Sequence, residues 1–235
     1  MFSESAHLYD AIYRAFKDYA AEAAAIATAV RAAHPSARTI LDVGCGTAEH
    51  ALHLNRLGFE VDGLDLDPGL LAVAREKLPE ARFYMADMAG FDLGRHYDIV
   101  TCLFSSIGYL KTLERVTSAL RCFRQHLAER GAIIVEPWFA PGVLHEGPGS
   151  TRRADTGGLR VERTSHTTVE RRLSTLVFDY RIEDASGVRA AREVHELGLF
   201  TPEEMMTTFE GAGLAATFDP AGLTGRGLYV ARLAR

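Results

Sequence analysis

Cysteine is scarce: Cys45, Cys102 and Cys122 are the only three in 235 residues. An odd number without paired ligand spacing argues against a disulfide framework and fits reduced thiols inside a cell. His50, His53 and His145 have no companion ligands at helical or hairpin spacing, so no metal site is expected. No apolar run is long enough to cross a bilayer, and Met1-Phe-Ser-Glu-Ser-Ala-His7 lacks the basic-then-apolar order of a secretory signal. The expected location is the cytoplasm, with no membrane partner. Positive charge is also short: 26 Lys and Arg face 31 Asp and Glu, for a net charge of −5. That balance argues against a nucleic-acid surface, which needs clustered cations to neutralise phosphates. Internal repeats and low-complexity tracts are absent too.

What is present is a chain with 47% hydrophobic residues, enough for one sizeable core. Its most informative stretch is Thr39-Ile-Leu-Asp-Val-Gly-Cys-Gly-Thr47. Ile40, Leu41 and Val43 are the short apolar run of a strand buried on both faces. Gly44 and Gly46 remove the side chains that would hold the backbone away from a ligand. About twenty residues on, Glu60-Val-Asp-Gly-Leu-Asp65 ends in an acid suited to ribose hydroxyls. An adenosine-containing ligand is therefore expected. A dinucleotide fingerprint would need glycine at position 49, where a pyrophosphate meets a helix start, and this chain has Glu49. A cofactor without phosphate and with positive charge fits better.

The stretch Leu41-Asp-Val-Gly-Cys-Gly-Thr47 resembles the first motif of the class I S-adenosylmethionine-dependent methyltransferases, with Ala48 standing at the third glycine. The resemblance continues through Asp65-Leu-Asp-Pro68, Ala86-Asp-Met88, Tyr97-Asp-Ile-Val-Thr-Cys-Leu-Phe104 and Gly131-Ala-Ile-Ile-Val-Glu136. It implies S-adenosylmethionine as cofactor and a Rossmann-like, mostly parallel seven-stranded sheet with helices on both faces. In this reading Asp42, Gly44, Gly46, Asp65, Leu66, Asp87, Met88 and Leu103 contact the cofactor, Asp87 facing the adenine amino group. Tyr13 and Tyr19 join them from the amino-terminal helices, or else only pack those helices on the sheet.

Organisation along the chain follows from pattern. Helices are expected at 4–16 and 18–33, then strands alternating with helices near 48–57, 68–77 and 111–128. After Glu136 the composition changes: Pro137, Pro141, Gly142, Gly147, Pro148 and Gly149 mark a loop, and segments near 158–167, 172–184 and 188–199 read as an antiparallel meander. Thr201-Pro-Glu-Glu204 is a helix start, and strands near 214–219 and 227–233 finish the sheet. One domain results: a helical cap over 1–36, a cofactor core over 37–136, an inserted β-rich substrate lid over 137–199, and completion of the sheet over 200–235.

A narrower resemblance rests on Lys17-Asp-Tyr-Ala-Ala-Glu22, Thr101-Cys-Leu-Phe-Ser-Ser-Ile-Gly108, Val135-Glu-Pro-Trp138, Thr164-Ser-His166 and Gly225-Arg-Gly-Leu228. These are similar to bacterial N,N-dimethyltransferases of nucleotide-linked 3-amino-deoxysugars. Those enzymes carry histidine after Ser-Ser-Ile-Gly, whereas this chain has Tyr109. The resemblance implies Tyr109 and Tyr9 as the catalytic pair, Tyr109 orienting a nucleophile rather than acting as a strong base. Ser105, Ser106, Trp138 and Arg226 would line the acceptor pocket, Arg226 on a phosphate or carboxylate. Each has a plainer reading as a core or turn residue. N-methylation of an amino sugar or other polar amine leads, and O-methylation or a macromolecular acceptor stay open. So do the monomer and the homodimer.

Overall fold

A computed structural model describes residues 6–234. Seven strands form the main sheet: β1 (Thr39–Val43), β2 (Glu60–Asp65), β3 (Phe83–Met85), β4 (Tyr97–Cys102), β5 (Leu127–Val135), β11 (Leu214–Asp219) and β12 (Leu228–Leu233). Their spatial order is β11-β12-β5-β4-β1-β2-β3, and β12 runs against both neighbours. The near-continuous apolar runs of the central strands follow from burial on two sides. Leu41, Val43, Val100, Cys102, Ile133 and Val135 enter one core, and Ile40, Ile99, Ala132 and Ile134 the other.

The first core is closed by α5 (Leu113–Gln125) and α6 (Pro202–Gly211), through Leu120, Phe123 and Phe209. Ile26 and Val30 of α2 (Tyr19–Ala33) and Leu54 of α3 (Glu49–Arg56) close the second. Short polar side chains set the helix starts. Asp67 accepts from Gly69 N and Leu70 N ahead of α4 (Pro68–Lys77), and Thr201 forms a capping box with Glu204.

A second, antiparallel sheet is inserted between β5 and α6. It contains β6 (Gly147–Pro148), β7 (Arg152–Thr156), β8 (Leu159–Glu170), β9 (Leu173–Asp184) and β10 (Gly187–Gly198). The order is β10-β9-β8-β6, with β7 also on β8. Its inner face, through Val161, Phe178, Tyr180 and Ile182, packs on Leu8 and Ile12 of α1 (Ala6–Arg14).

Boundaries differ from the sequence expectation at several points. The helix expected at 4–16 is α1 over Ala6–Arg14, positions 4 and 5 lying outside the described residues. The helix expected at 111–128 is shorter, because a 3-10 turn at Ser106–Leu110 precedes it and β5 begins at Leu127. Gly131 is therefore mid-strand, where a Cβ would stand 3.0 Å from Asp98 O beside the register shift with β4. No helix among the described residues is long and apolar enough to cross a membrane.

Candidate active site

The turn after β1 is shaped by left-handed backbone at three positions, Gly44 (φ +73°), Gly46 (φ +55°) and Ala48 (φ +62°). Each glycine has a distinct reason. A Cβ at Gly44 would stand 2.7 Å from the Ser106 Cβ, so this position permits the close approach of the 3-10 turn. A Cβ at Gly46 meets nothing within 4 Å and would project into open space. Ala48 adopts its conformation without the freedom of glycine, at roughly 1–2 kcal/mol.

That space is a cleft lined by Tyr9, Tyr19, Asp42, Gly44, Cys45, Gly46, Thr47, Glu49, His50, Leu103, Phe104 and Ser106. Its floor is acidic. Asp42 is buried and accepts from Thr101 Oγ1 at 2.8 Å, and burial pushes its carboxyl up to about 6. Asp65 accepts from Gly46 N at 2.8 Å and Asp67 N at 2.9 Å, so it ties the turn to the end of β2. Burial raises its pKa too. Glu49 is held by Arg14, Lys77 and a close Asp10–Lys77 pair. Its charge is thus engaged by cations rather than left bare at the helix start.

Behind the cavity lies a network built from the ends of Lys17-Asp-Tyr-Ala-Ala-Glu22. The buried Lys17 ammonium lies 2.9 Å from Glu22 and 3.4 Å above the Phe104 ring. Glu22 in turn contacts His50 Nε2 at 2.8 Å, and Tyr19 meets the His50 ring edge-on. Tyr13 packs against Tyr9, Phe16 and Phe104. Burial raises the phenols of Tyr9, Tyr13 and Tyr19, so all three stay protonated donors at neutral pH.

Several singled-out residues lie elsewhere or are otherwise engaged. Asp87 sits at the surface, accepting from Arg115 Nη2 at 2.7 Å and Ala89 N at 2.9 Å. Ser105 is buried with its hydroxyl donating to Pro137 O at 2.8 Å, whereas Ser106 lines the cavity. Trp138 is anchored through Nε1 to Ser174 Oγ at 2.9 Å, between the 3-10 turn and the second sheet. Arg226 donates to Glu136 Oε1 at 2.9 Å. Glu136 also accepts from Thr224 Oγ1 at 2.6 Å and, through Oε2, from Phe104 N at 2.7 Å. The expected anion contact of Arg226 is therefore supplied by the chain's own buried carboxylate. Leu66 is 53% exposed at the end of β2, Leu103 is buried in the cavity wall, and Met88 reaches 3.6 Å from where a Gly44 Cβ would be.

The 3-10 turn that carries Tyr109 is entered by two non-glycine residues at positive φ, Phe104 (+49°) and Ser105 (+65°), and left by a third, Lys111 (+63°). Such strain persists only where the surroundings hold it. Glu136 on Phe104 N and Pro137 on Ser105 provide that hold. The Tyr109 hydroxyl lies 3.0 Å from His195 Nδ1 on β10. His195 Nε2 lies 3.5 Å from Glu193 Oε2, which accepts from Tyr180 at 2.7 Å. Beside them the buried Arg163 guanidinium rests on Phe178 and Tyr13, with Nε and Nη1 lacking hydrogen-bond partners among the described residues. Sequence reasoning missed His195, Glu193, Tyr180 and Arg163. The available signal was the period-two alternation Glu193-Val-His-Glu-Leu197.

Comparison with known proteins places this arrangement. Residues 40–131 match a family model described as a methyltransferase domain. The chain is 38% identical over 228 residues to dTDP-3-amino-3,6-dideoxy-alpha-D-glucopyranose N,N-dimethyltransferase of Streptomyces fradiae, covering 96% of this chain and 89% of that one. DesVI of Streptomyces venezuelae superposes with a TM-score of 0.92 at 38% identity, covering 97% of this chain and 98% of DesVI. The chain belongs to the S-adenosylmethionine-dependent methyltransferases. The SAM-bound CalS10, an amino pentose methyltransferase from Micromonospora echinaspora involved in calicheamicin biosynthesis, superposes at a TM-score of 0.85 and 38% identity, over 95% of each chain.

S-adenosylmethionine is the cofactor of this methyltransferase, and the cavity suits it. A sulfonium and an ammonium are both cations, and the floor presents Asp42, with Asp65 bonded to the amide of the lining Gly46. The open space above Gly46 is where a side chain would otherwise stand. Bound there, the cofactor supplies an electrophilic methyl group.

Proposed function

We propose that this methyltransferase methylates the amino nitrogen of a nucleotide-linked amino-deoxysugar, the acceptor class named for its relatives. The carrying observation is that the likeness runs through the lid as well as the cofactor core, at 38% identity over 96% of the chain. A shared cofactor fold alone would leave residues 137–199 unmatched. A further relative, the dTDP-4-amino-2,3,4,6-tetradeoxy-D-glucose N,N-dimethyltransferase of Saccharopolyspora spinosa, is 34% identical over 97% of the chain. The higher identity to 3-amino enzymes favours a 3-amino sugar here.

In this reading Gly44, Gly46, Met88 and Leu103 shape the cofactor bed, Asp42 and Asp65 meet its cationic and hydroxyl groups, and Leu66 covers it from the end of β2. Tyr9, Tyr13 and Tyr19 close the bed from the amino-terminal helices. The acceptor lies between Ser106 and Tyr109 on one side and the lid on the other. Methyl transfer asks mainly for placement, since holding two partners in line contributes about 7–11 kcal/mol. Phenols are well suited to placement because they are rigid, apolar along the ring and donating at the tip. Glu136 fixes Phe104 and Arg226, and Trp138 braces the turn. The enzyme then works in the cytoplasm on a diffusible acceptor, with neither nucleic acid nor membrane as partner.

Incubation with methyl-labelled S-adenosylmethionine and separate panels of dTDP-amino-deoxysugars, phenols and tRNA tests the reading. Label should enter the amino-sugar panel. Transfer confined to phenols would make this an O-methyltransferase, and transfer to tRNA would overturn the small-molecule acceptor.

A further inference from the structure

Methylation of an amine leaves a proton to be disposed of. The neutral amine's lone pair forms the carbon–nitrogen bond as the carbon–sulfur bond breaks, its electron pair staying on sulfur. The product is an ammonium. Before the same nitrogen can accept a second methyl group, that proton must leave. Tyr109 alone is a poor acceptor, because a phenol has a reference pKa near 10 and burial here raises it further.

We propose that His195 is the proton acceptor of this site, working through the Tyr109 hydroxyl and held in place by Glu193. The geometry is a hydrogen-bonded line from the 3-10 turn that carries Tyr109 into the second sheet. Tyr109 shares its 3-10 turn with the cavity-lining Ser106, and its hydroxyl turns to His195 Nδ1 at 3.0 Å. His195 is 3% exposed and Glu193 is 7% exposed, so neither reaches bulk water readily. A carboxylate only accepts, so Nε2 carries the hydrogen that faces Glu193 Oε2 at 3.5 Å. Nδ1 is then left as the acceptor for the tyrosine hydroxyl. As Tyr109 takes a proton from the ammonium it gives its own to Nδ1. The amine is neutral again, Tyr109 ends as it began, and the imidazolium that forms sits against a carboxylate.

Two features argue for more than packing. A buried Glu193 is costly on a lid strand unless its charge is used or well paired. Tyr180 donates to the same Oε2 that faces His195, which orients the carboxylate toward the imidazole. The Phe178 ring, 5.1 Å from the imidazole, fixes it from the adjacent strand. The arrangement is thus a hydroxyl, an acceptor imidazole and an orienting carboxylate, drawn from two stretches of chain, the 3-10 turn and β10.

This inference rests on nitrogen as the methyl acceptor, and the test separates the two. Initial rates of the purified enzyme are measured with S-adenosylmethionine and dTDP-3-amino-3,6-dideoxyglucose, resolving mono- and dimethyl products by mass. If the wild type methylates no dTDP-amino sugar, the acceptor assignment fails, and the relay with it. If it does, His195→Asn should lower kcat on the order of 10²-fold. The KM for the sugar should stay within about twofold, and monomethyl product should accumulate. Tyr109→Phe should do the same, and the double variant should be no worse than either alone, because both break one line. Tyr109→His should restore kcat in the His195→Asn background, since an imidazole then faces the amine directly. Should His195→Asn lose affinity for S-adenosylhomocysteine or unfold early, Tyr109→Phe carries the test with His195 intact. Wild-type kcat in a folded His195→Asn or Tyr109→Phe, additive losses in the double variant, or no rescue by Tyr109→His would each overturn the relay.

Discussion

The two sides of the pocket are built from different materials. On the sheet side the contacts are set by main chain: three positive-φ residues in one turn, and amides of Gly44 and Gly46 bound to Leu64 O and Asp65. On the side of the second sheet they are set by side chains reaching between elements: Tyr109 to His195, Tyr180 to Glu193, Trp138 to Ser174. A backbone-defined site tolerates few substitutions, because any added side chain fills its space. A side-chain-defined site can be rewired by one residue on either end. The contrast suits an enzyme class in which the cofactor is constant and the acceptor varies.

Substitutions should break this contrast in a graded way. Gly44→Val should have the largest effect. It forces a β-branched residue into φ +73° and against Ser106, at a combined cost of about 2–5 kcal/mol. Thermal unfolding should fall sharply, and calorimetry should find S-adenosylhomocysteine binding abolished. Gly46→Ala, whose Cβ meets no protein atom, should lose affinity with a smaller drop in Tm.

Arg226→Ala comes next. It leaves the 3% exposed side chain of Glu136 without its cation, and removing one partner of a buried pair typically costs about 3–5 kcal/mol. The expected result is a lower Tm together with a lower kcat, because Glu136 also holds Phe104 N at the entry to the Tyr109 turn. A rise in acceptor KM alone, at wild-type Tm, would return Arg226 to the role of a substrate-anion contact.

The pH dependence of cofactor binding is a milder test of the sheet side. Asp42 has its carboxyl raised to about 6 in the free protein, and a bound cation favours its ionised form. S-adenosylmethionine should therefore bind about tenfold more weakly at pH 5 than at pH 7. Asp42→Asn should flatten that profile in calorimetric titrations. For stability of the free protein the sign is opposite. Because the folded value is raised, Asp42's contribution is fully present below pH 4 and is lost as pH rises through 6. The smallest effect belongs to the exposed face of the second sheet, where Arg192 and Asp179 pair in solvent. Arg192→Ala should leave both Tm and kcat unchanged.

The same contrast explains what could be read from the sequence. The apolar runs of β1, β4 and β5 and the glycines between Val43 and Thr47 carry their meaning locally, so sheet and cofactor turn were legible. In the second sheet β6 falls in the Pro- and Gly-marked loop and β7 was not foreseen, whereas β8, β9 and β10 were legible as strands from their alternation. Their site chemistry was not, because Tyr109 and His195 lie 86 residues apart and only the register of β10 on β9 brings His195 inward. Lys17 and Glu22 were visible in a motif whose purpose, a pair behind the cavity, needs the Phe104 ring to make sense. Ser105 and Arg226 sat in the right neighbourhood, yet Pro137 O and Glu136 had already taken their donors. Asp87 stood at the right strand end, but Arg115 of α5 holds it at the surface.

The most direct test of the account is the position of the transferred carbon. The enzyme is supplied with S-adenosylmethionine carrying a ¹³C-labelled methyl group and with dTDP-3-amino-3,6-dideoxyglucose, and the product is examined by NMR. Both labelled methyl groups should appear on the sugar nitrogen. Label on a hydroxyl oxygen, or an unmodified sugar in the presence of enzyme that binds S-adenosylhomocysteine normally, would contradict the account.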